Sequence, residues 1–397
     1  MKNKYKLIHH FIFYFILYFW FFNKFQNIIN CNSDSLIKKL KTKINFSNID
    51  NKITAFQLEA NAPCEDKYFI NEIMLSNKKG YIMSIFDGHG GWVLSQYVNL
   101  LLYPYFIEAY YSKTNLELNE ENKIIYSLNI SLNRIEEEFK LISFLKYFEG
   151  NKKFKNFGTC ALISIIIDKK LYTANLGDSK ARLFIKEKNN TNTRIDYRYK
   201  YKKVSKVFNC RKKEKQKKLR EKWPNIENIY KCKREKVCYV KGRLQPTSSL
   251  GDFYLKNVFY SLNLKKIDND RYIEKELKNY EGPFIESIPD IKIFNLEEKD
   301  KYLIIGSDGL WDYLNSKEIS KLINDFIQDK NKEFEENKIF HNTDKIGFGL
   351  LKEVIQKSAK KHNLKVLALL DIPLGKKLRR IHDDITIIIC DLSKIYE

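Results

Sequence analysis

Phe86-Asp87-Gly88-His89-Gly90-Gly91 closes the apolar run Tyr81–Phe86, and its reading decides how the rest of the chain is understood. A short apolar run ended by glycines is a buried strand entering a turn. The carboxylate at its end sits on rigid backbone yet reaches water. The same arrangement recurs in Gly177-Asp178-Ser179, in Ser307-Asp308-Gly309 and in Asp383-Asp384-Ile385-Thr386. Carboxylates that converge repel, by about 4 kcal/mol per unit-charge pair at 4 Å and intermediate dielectric. Divalent cations relieve that repulsion, and an all-oxygen donor set selects hard ions such as Mg²⁺ or Mn²⁺. These residues point to a two-metal hydrolase. Glycine usage agrees: the chain has 15, and Gly88, Gly90, Gly91, Gly158, Gly177, Gly242, Gly251, Gly306 and Gly309 fall in motif segments. Turns shaped around something bound need glycine's close approach.

Outward from these turns, strands and helices alternate. Helical spacing follows Asp87 through Val93, Leu94, Tyr97, Val98 and Leu101, and a second amphipathic helix covers Ser127–Phe144. Strands are expected at Ala161–Ile167, Leu171–Leu176, Ala181–Ile185, Tyr302–Ile305 and Ile385–Cys390. Ser316 is placed to cap a helix burying Ile319, Leu322, Ile323 and Phe326, and Leu350, Leu351, Val354 and Ile355 mark another. No linker or repeat divides the region, so one α/β domain over residues 56–395 is the simplest account.

The chain has 397 residues and a formal charge of +22, and 44% apolar content is ample for a core. A basic insertion at about 186–241 holds 21 Lys/Arg against 6 Asp/Glu, so most of the charge lies there. The seven Cys have no zinc-type spacing. Cys232 and Cys238 flank a basic stretch and could pair, although reduced thiols are the plainer reading. Residues 1–30 differ in kind. Phe11–Phe22 is an unbroken apolar run behind Lys2, Lys4 and Lys6, with Leu7 and Ile8 extending it. About 18 Å of helix is short for a bilayer core of roughly 30 Å. The run fits a signal or anchor segment, giving membrane association through residues 7–22 or secretory targeting; a mitochondrial presequence is the alternative. Residues 31–55 read as a linker.

The motifs taken together resemble the metal-dependent phosphatases of the PPM type, the protein phosphatase 2C family. They come in the family's order: Glu65-Asp66, Asp87-Gly88-His89-Gly90-Gly91, Gly158-Thr159, Gly177-Asp178-Ser179, Leu250-Gly251-Asp252, Ser307-Asp308-Gly309-Leu310-Trp311-Asp312 and Asp383-Asp384-Ile385-Thr386. Within the family, Gln57 to Asp66, Gly242-Arg243-Leu244-Gln245-Pro246 and Asp383 to Thr386 look most like the catalytic subunit of pyruvate dehydrogenase phosphatase. The resemblance implies an α+β fold, a four-layer αββα sandwich of two facing antiparallel sheets. It implies a Ser/Thr phosphatase acting on phosphoproteins with two Mg²⁺ or Mn²⁺ ions and room for a third. Asp87 would bridge the two ions, with the Gly88 carbonyl on one of them and Asp308 and Asp383 on the other. Glu65 and Asp66 would act through bound waters, and Asp178 with Asp308 would hold the third ion. An activated water would attack phosphorus without a phosphoenzyme, and His89 would protonate the leaving oxygen.

Several positions depart from the family pattern. Asn61 stands where many members carry a phosphate-gripping Arg, leaving Lys67 as a substitute. Asp384 replaces a common Asn and adds negative charge beside the site. Ser248 and Val207-Phe208 also differ. The basic stretch Arg211–Lys222 reads as a solvated connecting helix, or as a docking face for an acidic partner, anionic lipid or nucleic acid. Few aromatics interleave it, which argues against nucleic acid. Two other classes stand beside the enzyme: a pseudophosphatase that binds a partner, marked by a degraded ligand, and a membrane- or nucleic-acid-binding protein with an incidental core.

Overall fold

Along the strand Lys78–His89, Tyr81, Met83 and Ile85 enter one core while Ile82 and Phe86 enter another. Such two-sided burial belongs to the inner layers of a sandwich. The computed structural model describes residues 34–115, 117–191, 194–234, 237–261, 282–328 and 332–395. One sheet has the order β1 (Ile44–Ile49), β2 (Ile53–Leu58), β14 (Ile385–Asp391), β13 (Asp300–Gly306), β7 (Lys180–Thr191) and β8 (Arg194–Lys203). The other runs β12 (Asp290–Asn295), β6 (Lys170–Leu176), β5 (Gly158–Ile167), β4 (Lys78–His89) and β3 (Lys67–Leu75), with β11 (Leu250–Gly251) beside β5. Every pairing inside these sheets is antiparallel. The alternation that suggested an α/β domain therefore comes from hairpins and flanking helices rather than βαβ crossovers.

Between the sheets lie Ile53 and Ala55 from β2, Leu303 and Ile305 from β13, and Ile388 from β14, against Met83, Ile85 and Leu162. Outside one sheet, Phe56, Ile304 and Ile387 pack on the helices Ser316–Gln328 and Asn342–Lys361. Outside the other, Ile82, Phe86 and Ile163 pack on Val93–Tyr110 and Glu120–Phe148. The result is four layers, αββα.

Four expectations change. Residues 34–55 are not a linker: Asp34–Lys41 is a helix that buries Leu36, Ile37 and Leu40, and β1 with most of β2 forms the edge of a sheet. Asn315, rather than Ser316, caps Ser316–Gln328; its Oδ1 accepts from the Lys317 and Glu318 N–H groups, and Glu318 Oε2 accepts from the Asn315 N–H. That reciprocal box leaves the Ser316 hydroxyl to accept from Arg182 Nε. The basic stretch divides: β7 and β8 extend the sandwich, and only the part from about Cys210 onward forms a satellite. The satellite packs the helix Lys213–Lys222 and the hairpin β9 (Tyr230–Arg234) and β10 (Val237–Val240) around Cys210, Leu219, Ile229 and Val240. Cys232 and Cys238 face each other across that hairpin and form a disulfide, while Cys64, Cys160, Cys210 and Cys390 are free and buried. Among the described residues no helix is long and apolar enough to cross a membrane; Phe11–Phe22 lies outside them.

Candidate metal centre and active site

At one end of the sandwich the inward-facing row of each sheet changes from apolar to acidic. Asp87 continues the row of Tyr81, Met83 and Ile85, and Asp66 that of Tyr68 and Ile70. Thr386, in the row of Ile388 and Cys390, donates to Asp66 Oδ2 at 2.7 Å and so ties the two sheets together. The β4–β5 register sets Cys160 opposite Asp87, and ligand atoms of Asp87, Cys160 and Asp178 all lie within 4.8 Å of one another. The N–H of Asp308 donates to Asp87 Oδ2 at 3.4 Å. Asp308 opens the short helix Asp308–Trp311, and Asp383 leads into β14. The structure thus brings Asp66, Asp87, Asp178, Asp308 and Asp383 into one electrostatic neighbourhood.

Their titration shows the strain of that arrangement. Burial, then Asp308, Asp66, Asp178 and Asp383, pushes the Asp87 carboxyl far above the usual range. Burial and Asp178 lift Asp308 to about 8. Asp66 is raised by burial and by Asp384 and Asp383, and Asp383 by burial and Asp308. Glu65 is raised by burial, with Arg379 opposing. Carboxylates that can shed charge only by taking protons suit divalent cations. The donors are hard oxygens, as Mg²⁺ or Mn²⁺ requires. Cys160 shares this neighbourhood: its thiol donates to Asp178 Oδ1 at 3.3 Å, and burial and Asp178 raise its pKa.

His89 is held by a partner whose role the motif reading left unassigned. Its Nε2 lies 2.6 Å from Asp252 Oδ2, which also accepts from Ser249 Oγ at 2.6 Å. Burial pulls the imidazole pKa down, but the Asp252 charge prevails and raises it. The contact needs Gly158, since a Cβ there would lie 2.2 Å from both His89 Nε2 and Asp252 Oδ2. The turn that carries Asp252 is pinned by Glu136, which accepts from the Gly251 N–H at 2.7 Å and pairs with Lys256 at 2.6 Å. Gly88 allows a second close approach: a Cβ on it would meet the Glu65 carbonyl at 2.4 Å.

Asp384 borders the cluster but has donors of its own. Its carboxylate accepts from the N–H groups of Ala60, Asn61 and Glu65 at 2.6, 2.9 and 2.7 Å, and from Asn61 Nδ2 at 2.9 Å. Those donors outweigh burial and lower its pKa, so the charge is kept and fixes the Glu65 loop, while it still raises Asp66, Glu65 and Asp383 beside it. Asn61, in the place of the family's Arg, serves this clasp. Lys67 Nζ donates to the Cys64 and Asp66 carbonyls at 2.6 and 3.0 Å, which ties it to the same loop. Asn209, next to Val207-Phe208, donates through Nδ2 to Asp178 Oδ2. Ser248 Oγ accepts from the Gly177 N–H at 3.1 Å and steadies the Asp178 turn.

Two cations missed in the sequence approach the cluster. Arg379 Nη2 lies 2.5 Å from Asp383 Oδ2, and Arg211 Nη1 lies 3.0 Å from Asp312 Oδ1. Arg379 had a faint signal, being one of 11 Arg in a chain that prefers Lys and four residues before Asp383. Arg211 borders a cleft of about 410 Å³ with Asp178, Asp308, Lys180 and Trp311.

The profile of the protein phosphatase 2C family matches residues 54–361. The chain belongs to the protein phosphatase 2C family. It is 26% identical over 337 residues to probable protein phosphatase 2C 64 of Arabidopsis thaliana, covering 84% of this chain and 75% of that one. It is likewise 26% identical over 347 residues to probable protein phosphatase 2C 28 of Oryza sativa subsp. japonica, covering 85% and 76%. The serine-threonine phosphatase 2C structure from Toxoplasma gondii shares the fold, with a TM-score of 0.52, 11% identity and coverage of 88% and 98%. So does a C. elegans sex-determining protein, with a TM-score of 0.54 and 16% identity; the match covers 86% of this chain and 64% of that one. As a protein phosphatase 2C, the chain is a metal-dependent protein serine/threonine phosphatase whose substrates are phosphoproteins.

Proposed function

We propose that this phosphatase works with two Mg²⁺ or Mn²⁺ ions held by Asp87, the Gly88 carbonyl, Asp308 and Asp383, with Glu65 and Asp66 acting through waters. A third, looser ion would sit at Asp178 and Asp308. One observation carries the reading. Mutually repelling buried carboxylates converge, and Arg379 is the single cation paired with one of these ligand groups among the described residues. When bound, such ions shift a water towards hydroxide and draw charge from the phosphoryl oxygens. The chain supplies the rest. Asp252 fixes the His89 ring through Nε2 and favours the imidazolium, the form that can hand a proton to the leaving Ser or Thr oxygen. Thr386 and the Asp384 clasp hold Asp66 and Glu65 in place.

The finer placement, next to the pyruvate dehydrogenase phosphatase catalytic subunit, is supported by Gln57 to Asp66 and by Asp383 to Thr386. Phe11–Phe22 supports membrane or secretory-pathway attachment, with a mitochondrial address as the alternative. The decisive assay is phosphopeptide hydrolysis by the full chain with Mn²⁺, with EDTA, and with Asp87→Ala. Activity should vanish in EDTA and fall at least about a hundredfold in the variant; equal rates in all three would exclude the mechanism. Faster turnover of phosphorylated pyruvate dehydrogenase than of a generic phosphopeptide would support the finer placement, and equal turnover would remove it.

A further inference from the structure

The segment 206–209 has two faces. Val207 and Asn209 line the metal cleft, whereas Lys206 and Phe208 line a separate cavity of about 410 Å³ on the reverse side. The helix Lys213–Lys222 contributes to this second cavity. Lys215, Lys218 and Lys222 are spaced i, i+3 and i+7, so they share one helix face, and all three line the cavity. Two carboxylates also border it: Lys222 pairs with Glu286 at 2.6 Å and Lys206 with Asp290 Oδ1 at 3.5 Å, while Asp290 Oδ2 is buried without a partner among the described residues. Four lysines against two acids leave a surplus of two positive charges.

The unpaired groups say what the groove lacks. Lys215 is only 5% exposed, its ammonium lies 3.7 Å from the centroid of the Phe208 ring, and no carboxylate or hydrogen-bond acceptor meets it among the described residues. Burial, with Lys206 adding, pulls its pKa down to about 8. A cation–π contact offsets only part of the cost of burying an ammonium. Thr247 Oγ1 lines the same cavity, and it too is buried without a partner among the described residues. Buried polar groups in native folds are normally satisfied, so a buried hydroxyl without a partner and an ammonium met only by a ring face, in a cavity with surplus positive charge, point to an absent acceptor.

We propose that this groove binds a phosphate-type oxyanion, with Lys215 and Thr247 as its inner donors and Lys218 at the rim. A tetrahedral oxyanion carries several acceptor oxygens and up to two charges, which matches the surplus and the donor count. Such an anion has two sources: a second phosphoryl group on the phosphoprotein substrate, or free phosphate, the product of the reaction.

Calorimetric titration of the full chain with inorganic phosphate tests the site. EDTA removes phosphate binding that depends on metal, so one site should remain in EDTA and a second should appear with Mg²⁺. Lys215→Met keeps an apolar stem over Phe208 and should weaken the EDTA-resistant site about tenfold or more, as should the near-isosteric Thr247→Val. Lys321→Met, on a remote exposed helix face, should leave it unchanged. Absence of EDTA-resistant binding overturns the proposal, and so does binding that neither groove variant weakens. If Lys215→Met fails to fold, Thr247→Val decides alone. The sources separate in kinetics. A KM lower for a doubly than for a singly phosphorylated peptide, with the difference lost in Lys215→Met, assigns the substrate's own phosphate. Equal KM values, with EDTA-resistant binding retained, assign free phosphate.

Discussion

The metal cleft and the basic groove lie back to back across residues 206–209 and accumulate opposite charge by different means. In the cleft the charges sit on short side chains at strand ends and turns, where the backbone fixes their separation. Asp87, Asp66, Asp308 and Asp383 cannot move apart, and each has its pKa raised by another of them. In the groove the charges are lysines, three of them on one face of a helix, and most reach solvent or a carboxylate. Only the buried Lys215 is left in the position of the aspartates. The contrast teaches that a charged patch carries little information by itself. What points to a ligand is a charge that the fold has removed from water and left without a counter-charge.

The largest effect should come from easing the acidic side. Asp308→Asn keeps the shape and removes a ligand charge, so phosphopeptide turnover with Mg²⁺ or Mn²⁺ should fall at least about a hundredfold. Stability should move the other way in the metal-free chain. A carboxyl raised in the fold contributes stability that is fully present below its unfolded pKa and is lost as pH rises through its folded pKa. With Asp308 moved from 3.8 to about 8, the EDTA-treated wild type should lose stability between pH 4 and pH 8. Asp308→Asn should flatten part of that fall in denaturant unfolding. An unchanged profile would mean that the cluster is not under mutual repulsion.

Asp384 sharpens the comparison from inside the cleft, since it is an acid whose charge the fold does satisfy. Asp384→Ala leaves four donors without their acceptor and should cost about 3 kcal/mol in EDTA-treated protein. Asp384→Asn should cost less, because one oxygen still accepts. A loss confined to activity, with unfolding unchanged, would instead make Asp384 part of the reaction.

The same distinction explains what the sequence made legible. Strand-end aspartates stand out because a period-two apolar run and a glycine turn are both local patterns. Asp87, Asp178, Asp308 and Asp383 could therefore be found before their convergence was seen. Partnerships across long separations left no local trace. Asp252 was visible only as part of Leu250-Gly251-Asp252, and its contact with His89 spans 163 positions. Asp384 was visible as an added charge, but the clasp that holds it was not, because its donors lie more than three hundred residues earlier. Residues 34–55 looked like a linker because β1 is polar and half exposed, and its strand character comes from pairing with β2. Ser316 and the preceding Asn315 are both good caps, and only the Glu318 contact decides between them.

Arg379 gives the smallest effect and the finest test, because it is the one cation paired with a ligand carboxylate among the described residues. Its guanidinium lies 2.5 Å from Asp383, and its side chain is 43% exposed, so solvent screens much of its field. Burial would weaken its charge, but Asp383, Asp308, Glu65 and Asp87 all hold it protonated. Arg379→Gln removes a positive charge that competes with bound metal and attracts the substrate phosphate. The two consequences have opposite signs. Half-maximal activation should need less Mn²⁺, by roughly threefold, while KM for a phosphopeptide should rise by roughly threefold to tenfold. The turnover number should change less than either. If more Mn²⁺ were needed instead, Arg379 would be aligning Asp383 for the metal rather than opposing it. The acidic cluster would then depend on an internal counter-charge, as most of the groove's lysine and carboxylate pairs do.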